Sequence, residues 1–107
     1  WLVTSKTPDK TFSQIAPHIK YQIDMYNKWL GDADQALFPK LSHLDELRSL
    51  GIVHCVSPQE ACDLIGKYVE ETGIERYYTW TVPPGYEAKK MDEHLSLFAE
   101  EVIPHFQ

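Results

Sequence analysis

The sequence predicts an α/β fold, mostly helical with two or three short strands, and three observations point there. Apolar residues recur at three- and four-residue steps over much of the chain, which is helical spacing. Short runs rich in β-branched and aromatic residues interrupt those stretches. The two kinds of segment alternate, as they do where parallel strands are joined by helical crossovers. With 107 residues, 43% hydrophobic and 24% charged, the chain is large and apolar enough to read as one segment, 1–107, built around a core.

The opening Trp1-Leu2-Val3-Thr4-Ser5 reads as a strand with no polar lead-in. Free termini are usually polar and exposed. The expectation is therefore that these residues are the C-terminal stretch of a larger soluble protein. Thr7-Pro8 then resembles an N-cap with proline at the first helical position. Phe12, Ile15, Ala16, Ile19, Ile23, Tyr26 and Leu30 keep one helical stripe. Pro17 removes one backbone bond but the stripe keeps its phase, so a single kinked helix ending at Gly31 is expected.

Ala33, Ala36, Leu37 and Phe38 suggest a further helical turn before Pro39. Ser42 is placed to cap a short helix holding Leu44, Leu47 and Leu50, with Asp45 at N3 and Gly51 closing it. Ile52-Val53-His54-Cys55-Val56 is either a brief strand or an extended lead-in. Ser57-Pro58-Gln59-Glu60 is the clearest local signal, a capping box with proline in the first turn. Ala61, Leu64, Ile65, Tyr68 and Val69 give that helix its buried face, and Gly73 a left-handed exit.

Arg76-Tyr77-Tyr78-Thr79-Trp80-Thr81-Val82 reads as the second good strand, ended by Pro83-Pro84-Gly85. Strand alternation would place Tyr78, Trp80 and Val82 on one face and Tyr77, Thr79 and Thr81 on the other. The last helix is expected to start near Glu87 or Ala88, to bury Met91, Leu95, Phe98 and Val102, and to stop by Ile103, ahead of Pro104.

Charge and composition exclude several function classes. The net charge is −6, the densest basic point is Lys89-Lys90, and the only arginines are Arg48 and Arg76. A phosphate backbone would meet no basic stripe, which argues against nucleic acid. No run approaches the ~20 apolar residues of a membrane span, so no membrane partner is expected. Cys55 and Cys62 do not form a CxxC pair, and a reduced, cytoplasmic setting is the simplest reading.

Candidate chemistry is sparse. The histidines, His18, His43, His54, His94 and His105, form neither HxxxH nor HExxH, so no metal site is expected. His54 and Cys55 are neighbours, but adjacent residues of an extended chain point to opposite faces, and a structural role is the simpler reading. Glu70-Glu71 and Glu100-Glu101 read as solvated helix faces. There is no GxGxxG and no GxxxxGK[ST], so no glycine-rich phosphate cradle. Ligands of α/β folds gather beyond the C-terminal ends of strands. That rule makes Tyr78, Trp80 and Thr81 the candidates for lining a cofactor or substrate pocket, against the simpler alternative that Trp80 packs on the last helix.

Three pieces of the sequence carry a resemblance. VSPQEACDLIGKYVEETGIERYYTW, VPPG and MDEHLSLFAEEVIPHF together resemble the C-terminal end of the bacterial luciferase-like monooxygenase family. The shared features are a small-residue-Pro-Glu-Glu type of helix start, a Gly-Ile-led last strand and a closing LFAEEV-type helix. Val56 stands where a glycine is frequent in the family, a departure that touches a turn more than any chemistry. Residues 1–50 match only in outline. The resemblance implies a C-terminal fragment of a (β/α)8 TIM barrel, about its last two β/α units, from an oxidoreductase using flavin mononucleotide (FMN) or the deazaflavin F420. It places no catalytic residue on this chain.

The expected function is thus to complete a flavin- or F420-dependent monooxygenase or oxidoreductase, with the fragment itself inactive and binding no cofactor alone. The alternative is a non-catalytic structural or oligomerisation module. Unpaired strand edges and apolar stripes lead to an expected homo-oligomer, most simply a dimer, or packing against the missing N-terminal barrel portion.

Overall fold

Two parallel strands and the helices around them make up the structure, a computed structural model that describes residues 1–30 and 38–107. Strand β1, Leu2–Thr4, pairs with β2, His54–Val56, in the register Leu2↔His54, Val3↔Cys55, Thr4↔Val56. Helix α1, Pro8–Leu30, connects them together with a short helix α2, Glu46–Ser49. Helix α3, Pro58–Thr72, follows β2. The chain is therefore a mostly helical α/β structure with two short strands.

Both faces of the small sheet are covered, which the two-strand reading left open. Val3 joins Phe12, Ile15, Ala16, Ile19 and Ile23 of α1 in the larger apolar cluster. Leu2, its neighbour and so on the opposite face, joins Ala61, Cys62, Ile65 and Val102 in the second. Alternation in a three-residue strand is enough to bind it between two helical layers.

Helix α1 runs through Pro17 without a break, in line with the unbroken stripe. Gly31 and the helical turn expected at Ala33, Ala36 and Leu37 lie outside the described residues. The short helix α2 differs in its cap. Asp45 occupies the N-cap without a side-chain bond, and the Glu46 carboxylate instead accepts from the Ser42 N–H at 2.8 Å. Ser42 is thus the capped residue rather than the cap. Helix α3 matches its signal in full: both bonds of the Ser57–Glu60 capping box are present, and Gly73 exits at φ 65°.

The run Arg76–Val82 is not a strand, which corrects the reading from its composition. It has no regular secondary structure and makes no ladder. Strand propensity expresses packing on neighbours that a strand must have, and this run meets β1 through one side chain only, Thr79. Exposure along it still alternates as expected, with Tyr78, Trp80 and Val82 more exposed than Tyr77, Thr79 and Thr81.

The C-terminal region changes pitch three times: a 3-10 turn at Ala88–Met91, helix α4 at Asp92–Leu97, a π turn at Phe98–Val102 and a 3-10 turn at Ile103–Phe106. The stripe shifts accordingly. Leu95 is 55% exposed, while Met91, His94, Leu97 and Val102 are buried. Widening to a π turn lets Leu97 and Val102, five residues apart, share a face. Helical backbone also continues past Ile103, because 3-10 geometry accommodates Pro104 in its first turn.

Candidate functional site

Two depressions lie at opposite ends of the parallel strands. An aromatic cleft of about 670 Å³ sits at their N-terminal ends, where Trp1, Gly51, Ile52 and His54 introduce β1 and β2. Its walls are completed by Tyr26 near the end of α1, Tyr68 near the end of α3, and Tyr77, Tyr78, Thr79 and Trp80. Parallel topology explains this company. The helices run back against the strands, so their C-terminal turns stand beside the strands' N-terminal ends.

Rings in the cleft are held by one another. Trp1 and Trp80 meet edge to face at 85° with centroids 5.6 Å apart, and Tyr68 lies 6.5 Å from Tyr77 at 35°. Trp80 thus packs on Trp1, not on the last helix. Burial raises the Tyr77 phenol above its usual range, with a smaller push from Tyr68. The Trp1 Nε1 is buried without a partner among the described residues, so the indole offers the cleft carbon rather than an N–H. The Nε2 of His54 is 3.1 Å from the Gly51 carbonyl oxygen.

Of the three residues expected to line a pocket, Tyr78 and Trp80 stand in the cleft wall. Tyr78 is 86% and Trp80 50% exposed. Thr81 does not line it; it is half-buried outside the cleft. The end of the strands at which they gather is the N-terminal one, opposite to the end that the strand reading of residues 76–82 implied.

At the C-terminal end of β1 lies a smaller and more polar cavity of about 410 Å³. Thr4 leads into it, and Thr7 just before α1 with Lys10 and Thr11 in its first turn line it, together with Tyr86, Lys90, Glu93 and His94. His94 is 3% exposed. Its Nδ1 accepts from the Thr4 N–H at 2.9 Å and is 2.9 Å from the Thr4 hydroxyl, which donates to the His94 carbonyl oxygen at 3.0 Å. An Nδ1 that accepts leaves the neutral ring's proton on Nε2. Burial lowers the pKa of His94, favouring that neutral form. The Nε2–H has no partner among the described residues.

Beside it, the Ser5 hydroxyl donates to Glu93 Oε2 at 3.1 Å, accepts from the Thr7 N–H at 3.0 Å and lies 2.7 Å from the Thr11 hydroxyl. With those partners Ser5 is saturated, and its proton goes to a carboxylate rather than to an imidazole. The arrangement is suited to holding a polar group, not to serine nucleophilic attack. Two ammonium groups, hydroxyls and an imidazole N–H around one cavity form a donor set for an anion, with Glu93 the opposing charge.

Sequence reading missed this cluster. Thr4, Ser5, Thr11, Glu93 and His94 are scattered over ninety positions with no spacing motif. The available signal was Thr4-Ser5 at the C-terminal end of an apolar strand, where α/β ligands gather. Burial pushes the Cys55 thiol up to about 11, which disfavours its thiolate. Among the described residues no group of three or more His, Cys, Asp or Glu could hold a metal ion, and no helix is long and apolar enough to cross a membrane. In comparisons with known proteins, no family model, no curated protein and no solved structure matches this chain.

Proposed function

We propose that this chain forms the closing β/α units of a luciferase-like (β/α)8 barrel oxidoreductase and contributes to the phosphate-binding side of an FMN or F420 site. The observation that carries the reading is the polar cavity beyond the C-terminal end of β1. It sits where barrel enzymes place their ligands, and its donors Lys10, Lys90 and Thr11 suit a phosphate. The β1–α1–β2–α3 order and the resemblance of residues 56–106 support the same assignment. When bound, such a cofactor would supply the redox chemistry. The residues here would bind and orient it, with the Nε2–H of His94 as a fixed donor and Glu93 restrained by Ser5.

The test is a fluorescence titration of FMN and F420 against residues 1–107 and against the longest natural chain containing them. Micromolar binding by the longer chain, weakened by Lys10→Gln and Lys90→Gln, is the expected result. A longer chain that binds neither cofactor, or binds one with no effect of either substitution, overturns the reading. The isolated residues 1–107 should not bind in the low-micromolar range, and a 1:1 complex there would move the whole cofactor site into this segment.

A second reading, a non-catalytic module that assembles through apolar surface, is favoured by a different feature. Val69 and Ile74 after β2, and Ile103 and Phe106 at the end of the chain, are exposed along one groove between α3 and the C-terminal turns. A second copy of the chain would cover it as a homodimer. Sedimentation equilibrium at micromolar concentration decides this, since a monomer at those concentrations removes it.

A further inference from the structure

We propose that the aromatic cleft at the N-terminal ends of the strands binds a weakly hydrated organic cation, of the quaternary ammonium class. This proposal is independent of the barrel reading, which concerns the opposite end of the strands.

Three properties of the cleft converge on that ligand. Its volume of about 670 Å³ lies within the ~300–1,000 Å³ range of small-molecule sites. The rings of Trp1, Tyr26, Tyr68, Tyr77 and Trp80 line it, and the quadrupole of an aromatic ring attracts a cation lying over its face. Because Trp1–Trp80 and Tyr68–Tyr77 are already packed in pairs, the walls need little ordering on binding.

The electrostatics of the cleft set the Trp1 α-amino group, which donates to the Ile52 carbonyl at 2.7 Å and whose pKa burial lowers toward the neutral amine, against two helix ends. Helices α1 and α3 both bring C-terminal turns to the cleft, through Tyr26 and Tyr68, and helix C-termini carry partial negative charge. The last turn of α3 has no basic residue and includes Glu70 and Glu71, the latter paired with Lys67 one turn earlier at 3.8 Å. Lys28, in the last turn of α1, is exposed and does not line the cleft. Among the described residues that line the cleft, none is Lys, Arg, Asp or Glu.

The lack of carboxylates among the described residues of the wall narrows the class further. A small, strongly hydrated cation such as sodium or ammonium needs oxygen ligands to replace its water, and aromatic carbon does not provide them. A quaternary ammonium has methyl groups in place of that hydration shell. It gains from apolar burial and from the π faces together.

The experiment compares acetylcholine with its uncharged carbon isostere, 3,3-dimethylbutyl acetate, by tryptophan fluorescence and by NMR titration of residues 1–107. The two probes share shape and apolar area, so charge is the variable. Saturable binding at least about tenfold tighter for the cation is expected, weakening as salt screens the helix ends. Trp80→Leu and Tyr68→Leu should each weaken it at least about threefold. Both residues are substantially exposed, so circular dichroism should show the fold retained. Tyr21→Leu, an exposed aromatic outside the cleft wall, should leave it unchanged. Equal affinity for both probes, no saturation with either, or binding untouched by both cleft substitutions would overturn the proposal.

Discussion

The backbone N–H of Leu2 donates to the hydroxyl of Thr79 across 2.7 Å, joining residues 77 positions apart. Ladder bonds of β1 to β2 run from Trp1, whose carbonyl accepts from the His54 N–H, and from Ser5, whose N–H donates to Val56. Bonding in a parallel pair alternates along the strand, so Leu2 and Thr4 direct their N–H groups to the other edge. Thr79 receives the first and His94 the second. An edge that could template pairing with another chain is thereby occupied by side chains.

Thr79→Val should therefore destabilise the protein, since it leaves a part-buried N–H without its acceptor while keeping side-chain shape. A loss of about 1–3 kcal/mol is expected. Thr81→Val should change stability by less than about 0.5 kcal/mol, and Thr79→Ser should restore most of the loss. Urea denaturation of the three variants checks this.

His94 makes stability depend on pH near neutrality. Burial lowers its pKa in the folded protein, so below the ordinary histidine value of about 6.5 the unfolded chain binds more protons. The contribution is complete above that value and is lost as pH falls toward the folded pKa. His94→Asn, which keeps an acceptor for the Thr4 N–H, should flatten the stability profile below about pH 6.5. Thermal melts across that interval, wild type against variant, are the measurement.

A separate acid step should come from α3. Glu60 has its pKa lowered, first by the Ser57 N–H and then by the Ser57 hydroxyl. Its contribution is present above the ordinary glutamate value of about 4.3 and disappears as pH falls through the folded pKa. Ser57→Ala should remove that step and lower stability at neutral pH by about 1 kcal/mol. Melting curves at pH 7 and pH 3.5 separate the two effects.

Cys55 should alkylate slowly. Its thiol is pushed up to about 11, mainly by burial and against the pull of Arg48, so little thiolate forms at pH 8. Iodoacetamide should modify it more than about tenfold slower than a free cysteine of pKa ~8.5, as read by mass spectrometry. Equal rates would show the thiol accessible and ionised.

What could be read from the sequence was whatever residues within one turn or one stripe settle among themselves. The Ser57–Glu60 box, the Gly73 exit and the α1 stripe through Pro17 all have local causes, and each is present. Arg76–Val82 failed as a strand because a strand needs a neighbour, and that information lies elsewhere in the chain. The C-terminal stripe slipped for a related reason: Thr4, ninety positions away, draws His94 inward, and a π turn absorbs the change of phase. For the sites, Tyr78 and Trp80 were recognisable as pocket-lining candidates, but the end of the sheet they would occupy was not. The Thr4–His94 and Ser5–Glu93 contacts have no sequence spacing to betray them.

The partners of β1 also set a timetable for the nascent chain. Ile52 and the β2 residues, then Thr79, then His94, emerge from the ribosome long after Leu2 does. Helices α1 and α3 can form from neighbouring residues as they appear, whereas β1 must wait for groups up to ninety residues behind it. Closing loops of that length is what makes non-local pairings slow. Until His94 is out, Leu2-Val3-Thr4 is a bare hydrophobic strand with donors to spare. That is the interval in which a chaperone would find something to hold.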